Sequence, residues 1–173
     1  MSKIKLKIYT WPEKILRKKC KRVKKVDDKI RGFFDEMLSL MRVNAGVGLA
    51  ANQAGLDLKL IVIETNEELL KLVNPRIVKG EGKLKIIEGC LSFPGLEIEV
   101  ARQNKIWVEA LNERGEAVNF ETQGVLAIIL QHEIDHLNGV LFIDRIPAWR
   151  KLKILPRLRA IKKINKNKSL LDV

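Results

Sequence analysis

The spacing of apolar residues changes along the chain, and each spacing predicts a different secondary structure. Residues 3–9 (KIKLKIY) alternate polar and apolar positions, which is typical of a strand with one buried face. Residues 58–64 (LKLIVIE) are almost continuously apolar and rich in β-branched side chains, which predicts a buried strand. Residues 27–42 carry apolar side chains at helical spacing behind Asp27 and Asp28, either of which can cap a helix. The pattern therefore predicts mixed α and β structure.

The segment between Gly124 and Gly139 is a predicted helix of a different kind. Its sequence, VLAIILQHEIDHLNG, is apolar nearly all round, so it lacks a wide polar face for solvent. Asn138 and Gly139 are residue types that commonly end helices. We therefore expect this helix to occupy the centre of the fold.

The remaining segments are assigned from turn and breaker signals. They predict short helices over residues 13–19 and 66–71, followed by a break at Asn74–Pro75. Short strands are predicted over 76–122, with a hairpin at 104–122, and a strand or turn over 141–146. The last predicted element is a basic helix over about 147–166, which Pro156 kinks or divides. This order predicts one domain over residues 1–173. Its expected class is α+β, with antiparallel sheets around the central helix and a C-terminal helix.

Composition adds an uneven charge to this outline. Residues 1–31 hold 13 Lys/Arg against three acids and residues 145–173 hold 10 against one, whereas residues 32–144 hold 10 against 17. The split indicates a polyanionic partner reached through the two ends, or a solvated basic surface.

There is no run of 18 apolar residues and no apolar secretion-signal core. With only two cysteines, we expect a protein of the reducing cytoplasm.

The central helix contains the pattern His-Glu-x-x-His at residues 132–136. Residues four apart share one face of a helix, so His132 and His136 can hold one ion. Glu133 can then take a proton from a water molecule that the ion acidifies, which is the metallohydrolase arrangement. The pattern also occurs by chance on amphipathic helices, so the identity of a third ligand decides between the two interpretations.

The third ligand is expected upstream of this helix. Both histidines of the chain are already in the motif, and the only acids after it are Asp144 and Asp172. The histidine or glutamate that completes common zinc protease sites is therefore absent downstream. Upstream, the candidates are the acids and two cysteines. Cys20 lies in a basic stretch that favours an ordinary surface residue, whereas Cys90 lies in a loop that can face the helix. One cysteine with two histidines leaves an open position, as catalysis requires.

Two other segments are unusual for purely structural turns. Residues 46–53 (GVGLAANQ) contain Gly46 and Gly48, which permit a ligand to approach the backbone closely, and end in the amide of Gln53. Residues 88–95 (EGCLSFPG) surround Cys90. Each segment alone also fits a plain turn or loop. Their occurrence together with the histidine motif indicates a functional site.

These motifs, GVGLAANQ, EGCLSFPG and QHEIDHLNG, resemble in content and order the three motifs of the peptide deformylase family. The segments WPEKILRKKCKRV, LVNPRIV and LNGVLFIDRI are also similar to that family, so the resemblance reaches about residue 150. It implies a hydrolase that removes the formyl group from the N-terminal formylmethionine of nascent polypeptides. The expected fold is that of this family.

The resemblance also implies roles for individual residues. The implied metal ligands are Cys90, His132 and His136, with Glu133 as general base and acid. The side-chain amide of Gln53 and the backbone N–H of Leu91 would stabilise the oxyanion. The residues implied to border the substrate backbone or the methionine side chain are Gly46, Val47, Gly48, Ile86, Val125, Ile128 and Ile129.

Further expectations concern neighbouring residues. We expect Glu88 to orient a ligand or a pocket wall, and Asp135 to form an ion pair with Arg102. Two positions depart from the family. Asn52 stands where many members have proline, and Glu97 lies near a position where some members have an arginine that contacts the substrate backbone.

The resemblance implies iron(II) as the metal in cells, while zinc, nickel or cobalt also suit the ligands. The basic C-terminal helix is expected to contact the ribosome near its exit site. Two other functions remain open at this point. A zinc endopeptidase lacks its downstream ligand here, and a basic RNA-binding protein with a structural metal would need a fourth protein ligand.

Overall fold

The computed structural model describes residues 6–171, with side chains over residues 6–165. The helices are α1 (Asp28–Val43), α2 (Val125–Leu137) and α3 (Ala148–Leu171), with 3-10 turns at Lys14–Arg17, Ala51–Ala54 and Phe142–Asp144. The strands are β1 (Gly48–Ala50), β2 (Leu60–Glu64), β3 (Leu69–Glu81), β4 (Leu84–Glu88), β5 (Ile98–Arg102), β6 (Lys105–Leu111) and β7 (Ala117–Gln123). None of the helices within residues 6–171 combines the length and apolar character needed to cross a membrane.

The strands form two antiparallel sheets. One has five strands in the order β1-β2-β3-β6-β7, and the other is the β4–β5 hairpin. Helix α2 packs against β1, β2 and β7 of the larger sheet, so it lies within the fold as its apolar pattern predicts. The predicted α+β class, with antiparallel sheets around the HExxH helix, is confirmed.

The core explains why α2 can bury polar residues. Ala127, Leu130, Ile134 and Leu137 of α2 share a buried cluster with residues of the larger sheet. Because this helix is covered on several sides, its polar side chains are buried as well: Gln131, His132, Glu133, Asp135 and His136. Buried polar groups are costly unless they are paired, so these five side chains need partners. The predicted ligands His132 and His136 and the predicted acid–base residue Glu133 therefore lie inside the core.

Strand β3 differs from the prediction. Residues 66–71 are not a helix, because β3 begins at Leu69, and Asn74–Pro75 does not break the strand. The register shifts between Val73 and Arg76, and a bulge absorbs the proline. Asn74 has a positive φ of 52°, and its side chain bonds Val23 N at 2.9 Å and Val23 O at 2.8 Å. Tertiary hydrogen bonds thus keep the strand continuous where the local sequence favours a turn.

One other predicted strand is not assigned, and two predictions that gave alternatives are narrowed to one. Residues 3–5 lie outside the described residues, and residues 6–9 are not assigned to a strand. The segment after α2, predicted as a strand or a turn, forms the 3-10 turn Phe142–Asp144. Helix α3 continues through Pro156 rather than dividing there. The predicted helix α1 and the β6–β7 hairpin are confirmed, with Asp27 as the cap of α1.

Cys20 is a core residue, although its basic sequence context favours the surface. It is only 4% exposed, and its backbone N–H donates to the carbonyl of Leu137 at 2.9 Å. Burial, followed by the negative charge of Asp57, raises the pKa of the Cys20 thiol to about 11. The neighbouring lysines, Lys19 and Lys21, are exposed, whereas the Cys20 thiol packs into the core.

We predict that Cys20 is chemically inert in the folded protein. Because the thiolate is the reactive species, a pKa of about 11 instead of 9.0 lowers alkylation by roughly 100-fold at pH 8. Iodoacetamide labelling of Cys20, followed by peptide mass spectrometry in buffer and in guanidinium chloride, measures this ratio. Equal labelling rates in the two solvents would contradict the burial of the thiol.

Candidate metal centre

Three side chains from two parts of the fold converge on one point. Cys90 lies in the loop after β4, and His132 and His136 lie one turn apart on α2. The Nε2 atom of His136 is 3.2 Å from His132 Nε2 and 3.3 Å from Cys90 Sγ. All three potential ligand atoms lie within 4.8 Å of one another. The structure thus brings together the three residues predicted as metal ligands.

This donor set fits a metal ion. Metal–nitrogen bonds of about 2.0–2.1 Å in a tetrahedron give nitrogen–nitrogen edges of about 3.3 Å, close to the 3.2 Å between the two histidines. His132 Nδ1 is 2.9 Å from Glu88 Oε2, so Nδ1 can donate and the lone pair of Nε2 can face the ion. Three protein ligands leave a fourth position open to water or substrate. This is the pattern of a catalytic rather than a closed structural site.

A buried ion-pair network supports the first histidine. Arg102 donates to Glu88 Oε1 at 2.7 Å and to Oε2 at 3.0 Å, and its other nitrogen donates to Asp135. Burial opposes ionisation of Glu88, but hydrogen bonds from Arg102 and His132 outweigh it and lower its pKa to about 2. Glu88 is therefore a carboxylate that fixes the orientation of His132. The expected roles of Glu88 and of the Asp135–Arg102 pair agree with this geometry.

The two histidines differ electrostatically. Burial disfavours a charged ring at both sites. At His132, the negative charge and hydrogen bond of Cys90 and the hydrogen bond of Glu88 outweigh burial and raise the pKa well above its usual value. At His136, burial and the positive charge of His132 lower the pKa well below its usual value. His136 is thus held as a neutral ring, the form that binds metals.

Arg145 is a member of this network that sequence reasoning missed. It donates from Nε to Asp135 Oδ2 at 3.0 Å and from Nη2 to Asp135 Oδ1. Without it, the single charge of Arg102 would serve two buried carboxylates, Glu88 and Asp135. Arg145 stands just after the 3-10 turn that follows α2. Only the fold brings it back to the buried face of that helix.

We predict that Arg145→Ala weakens metal binding about tenfold, the lower end of the effect of residues behind metal ligands. Arg102 would then shift toward Asp135 and hold Glu88 less firmly, and Glu88 would in turn orient His132 less firmly. Loss of a positive charge near the site would by itself strengthen metal binding. A weaker affinity would therefore show that Arg145 acts by positioning the ligands, and a stronger affinity that it acts through its charge. Competition with a chelator measures the affinity. Arg150→Ala is the control, because Arg150 contacts Glu99 instead, and an equal effect of both variants would contradict the prediction.

Glu133 lines the same cleft as the ligands Cys90 and His132. It is 4% exposed, and its Oε2 atom has no hydrogen-bond partner among the described residues. Burial is the largest influence on this carboxyl and raises its pKa to about 7. A Cβ atom added to Gly48 would lie 2.5 Å from Glu133 Oε1 and 3.0 Å from Ile129 Cγ2. Gly48 is therefore required for the close approach of β1 to the acid.

Two hydrogen-bond donors lie beside the centre. Gln53 Oε1 accepts from the backbone of Ala50 at 2.8 Å, which orients Nε2 toward Cys90 Sγ at 3.4 Å and Ser92 Oγ at 3.2 Å. The backbone N–H of Leu91 makes no hydrogen bond within residues 6–171. Both can donate to an oxygen that develops negative charge. Ser92, which anchors Gln53, was not identified from the sequence, although it stands in the EGCLS motif.

The centre opens into a cleft of about 1080 Å³. All seven residues predicted to contact substrate line it, namely Gly46, Val47, Gly48, Ile86, Val125, Ile128 and Ile129. The cleft is bordered by β1 and β4, which are edge strands of different sheets. Val47 and Val125 are 55% and 61% exposed, so apolar surface is available for a ligand. The segments grouped by sequence thus enclose one continuous site.

Some residues of the cleft were not predicted. Glu64 at the end of β2 and Thr65 and Asn66 in the turn after it line the cleft, and nothing in their sequence distinguishes them from an ordinary strand end and turn. Glu97 is exposed and does not line the cleft, although its Cγ lies 3.9 Å from a Cβ built on Gly89. Asn52 donates to the carbonyl of His136 at 2.6 Å. It therefore supports the end of the metal helix as well as shaping a turn.

The chain is similar in sequence and in structure to proteins of one family. The sequence pattern of the family described as polypeptide deformylase matches residues 5–152. The chain is 43% identical over 165 residues to peptide deformylase of Aquifex aeolicus, covering 92% of this chain and 98% of the relative. It is 47% identical over 140 residues to peptide deformylase 2 of Clostridium acetobutylicum, covering 80% and 93%. The crystal structure of the Thermus thermophilus deformylase superimposes with a TM-score of 0.87 at 37% identity, covering 92% of this chain and 97% of that one.

Proposed function

The chain belongs to the polypeptide deformylase family, whose members remove the formyl group from N-terminal methionine, and we propose that Cys90, His132 and His136 hold the single metal ion of this reaction. The convergence of these three ligand atoms within 4.8 Å carries the proposal. When bound, a divalent ion supplies a Lewis acid that polarises the formyl carbonyl and acidifies water. The protein contributes the orientation of substrate and the transfer of protons.

Glu133 is the proton carrier of the proposed mechanism. Its carboxylate takes a proton from the attacking water, whose oxygen forms a bond to the formyl carbon. The same carboxyl group then gives a proton to the amine nitrogen as the carbon–nitrogen bond breaks. Formate and the free amine of methionine are the products. The unpaired Oε2 atom, buried in the cleft wall, suits a group that must bind and release protons.

Gln53 and Leu91 stabilise the charge that develops on the formyl oxygen. The Gln53 amide is held in place at both ends, by Ala50 and Ser92, so it needs no reorganisation during the reaction. The Leu91 N–H belongs to the same loop as Cys90. One donor of this kind is typically worth about 3–4 kcal/mol of transition-state stabilisation.

The two edge strands explain how a nascent chain can be held. An extended peptide can add a strand at an exposed sheet edge through its backbone, independently of its side chains. Residues 46–48 and β4 supply such edges on the two sides of the cleft. Ile86, Val125, Ile128 and Ile129 supply an apolar surface suited to the flexible thioether of methionine. The whole chain, residues 1–173, acts as one catalytic domain in this proposal.

Iron(II) is the proposed metal in cells. A thiolate with two neutral imidazoles suits iron(II), zinc, cobalt and nickel alike. The metal that is bound therefore depends on which of these ions is available. The family resemblance favours iron(II). A thiolate ligand makes such a site sensitive to oxidation, and zinc, nickel or cobalt can then replace the iron.

We place the reaction in the cytoplasm, at the ribosome. The substrates of this family are new polypeptides, and α3 presents basic residues from Arg150 to Lys163 without an acid between them. Such a helix can bind ribosomal RNA near the exit site by releasing counterions. The two free cysteines, Cys20 and Cys90, fit a reducing compartment.

The proposal is tested by deformylation of formyl-Met-Ala-Ser with protein prepared without oxygen, with metal analysis of the same sample. We expect release of formate and one metal ion per chain. A denatured, unformylated protein serves as the second substrate. Cleavage of its internal bonds without deformylation would identify a zinc endopeptidase and overturn the proposal.

A further inference from the structure

The two basic ends of the sequence lie side by side in the fold. Leu16 shares a buried cluster with Leu158 and Ile161 of α3. Asn165 donates to the carbonyl of Thr10 at 3.1 Å and to Glu13 Oε1 at 3.2 Å. These contacts join segments from opposite ends of the chain. We call residues 14–25 together with residues 148–165 the basic band.

The two halves of the band meet at one shared acid, Asp144, and a second acid, Asp57, lies beside the first half. Asp144 pairs with Arg17 of the first segment and lies 3.7 Å from Lys151 of the second. Further along, Lys18 and Lys21 both pair with Asp57 at 2.9 and 3.4 Å. Residues 14–25 hold eight Lys/Arg and residues 148–165 hold seven, and neither range contains an aspartate or glutamate.

Most of this charge is uncompensated. Ten cations of the band have no salt-bridge partner among the described residues: Lys14, Lys19, Arg22, Lys24, Lys25, Lys153, Arg157, Arg159, Lys162 and Lys163. Burial, and then the positive charges of Lys19 and Arg22, lower the pKa of neighbouring Lys59. Like charges are therefore crowded here. A polyanion would relieve the repulsion.

We propose that the whole basic band is an RNA-binding surface, in which residues 14–25 contribute as much as α3. This extends the ribosome contact proposed above from one helix to a two-segment surface. Because many phosphates would be contacted at once, binding would be weakly sequence-specific and steeply dependent on salt.

The chemistry of the first segment favours RNA over a membrane surface. A helix or loop that binds lipid inserts apolar side chains beside its basic ones. In residues 14–25, Leu16, Cys20 and Val23 are all buried, and no large apolar side chain of that segment is exposed. Helix α3 does expose apolar side chains, namely Trp149, Leu152, Leu155 and Ile164, so the choice of RNA rests on residues 14–25. The shared feature of both segments is positive charge alone.

Removing α3 is a poor test, because its Leu158 and Ile161 complete a core cluster. Neutralising exposed cations keeps the fold intact. The three variants to compare each lose three positive charges: Arg22, Lys24 and Lys25→Gln in the first segment, Arg157, Lys162 and Lys163→Gln in α3, and Lys79, Lys83 and Lys105→Gln as the control. Among the control cations, Lys79 lies near the end of β3, Lys83 in the turn after it and Lys105 at the start of β6, all outside the band.

Binding of a fluorescein-labelled 20-base-pair RNA duplex is measured by anisotropy over a range of salt concentrations. Each lost phosphate contact reduces the slope of log Kd against log salt by roughly 0.7–0.9, so each band variant is expected to reduce it by about two. The control variant is expected to keep the wild-type slope. All variants should deformylate formyl-Met-Ala-Ser at the wild-type rate, since none of these residues lines the cleft.

Three results would overturn the proposal. An effect of the α3 variant alone would exclude the first segment, and equal effects of all three variants would reduce the interaction to net charge. Binding to phosphatidylglycerol vesicles without binding to the RNA duplex would assign the band to a membrane. Failure of the wild-type protein to deformylate would instead contradict the proposed function and leave the RNA measurement valid.

Discussion

Replacing Glu133 with glutamine is expected to lower kcat for formyl-Met-Ala-Ser by about 10²–10⁴-fold, the usual contribution of a positioned acid–base group. Glutamine has the same shape but cannot carry the proton from water to the leaving amine. The three ligands come from other residues, so the variant should keep one metal ion per chain. Kinetics and metal analysis on the same preparation measure both quantities.

Glu64→Gln is the matched control for this substitution. Glu64 also lines the cleft, but its carboxylate is paired with Arg42 rather than directed at the metal ligands. We expect kcat to change by less than about threefold in the control, because Glu64 takes part in no proton transfer. If Glu133→Gln retained wild-type turnover, another group would have to move the proton, and the assignment of Glu133 would be wrong.

Cys90→Ala is expected to release the metal and abolish turnover. Two histidines alone hold a divalent ion weakly, since the thiolate supplies the only negative charge among the three ligands. We expect less than about a tenth of a metal ion per chain after dialysis, with loss of activity in proportion. Inductively coupled plasma mass spectrometry of the dialysed protein measures the metal content.

The second cysteine provides the control. Cys20 is buried in the core and is absent from the ligand cluster, so Cys20→Ala should keep full metal content while lowering stability. Truncating a small buried side chain costs about 1 kcal/mol or more, which a shift in the thermal unfolding midpoint would show. Metal loss in both variants would mean that the effect of Cys90→Ala comes from general destabilisation.

Much of the site could be predicted because its residues cluster in three short segments. His132, Glu133 and His136 are spaced by the helical repeat, so local geometry alone places them together. The scarcity of histidine and of downstream acids places the third ligand upstream, among the acids and two cysteines, and the loop around Cys90 favours that residue over Cys20. The family resemblance implies Cys90 as the ligand, and the structure brings its sulfur to the two histidines.

The residues that escaped prediction act through tertiary contacts. Arg145 is one basic residue among many in the sequence, and only the return of the chain after α2 brings it to Asp135. The bulge in β3 depends on the hydrogen bonds between Asn74 and Val23, which local propensity cannot report. The helix predicted over residues 66–71 was wrong for the same reason, since pairing with β2 outweighs the helical preference of that segment.

The cluster that joins Leu16 to Leu158 and Ile161 also has a consequence for synthesis. The chain is made from its N-terminus, so Leu158 and Ile161, the apolar partners of Leu16 on α3, are translated about 140 residues after it. Until then, this part of the core stays open to solvent, and closing it requires contacts between distant segments, which form slowly. This enzyme, which acts on nascent chains, therefore exposes part of its own core while the residues between Leu16 and Leu158 are being made. We expect its aggregation during expression to depend on how promptly α3 docks.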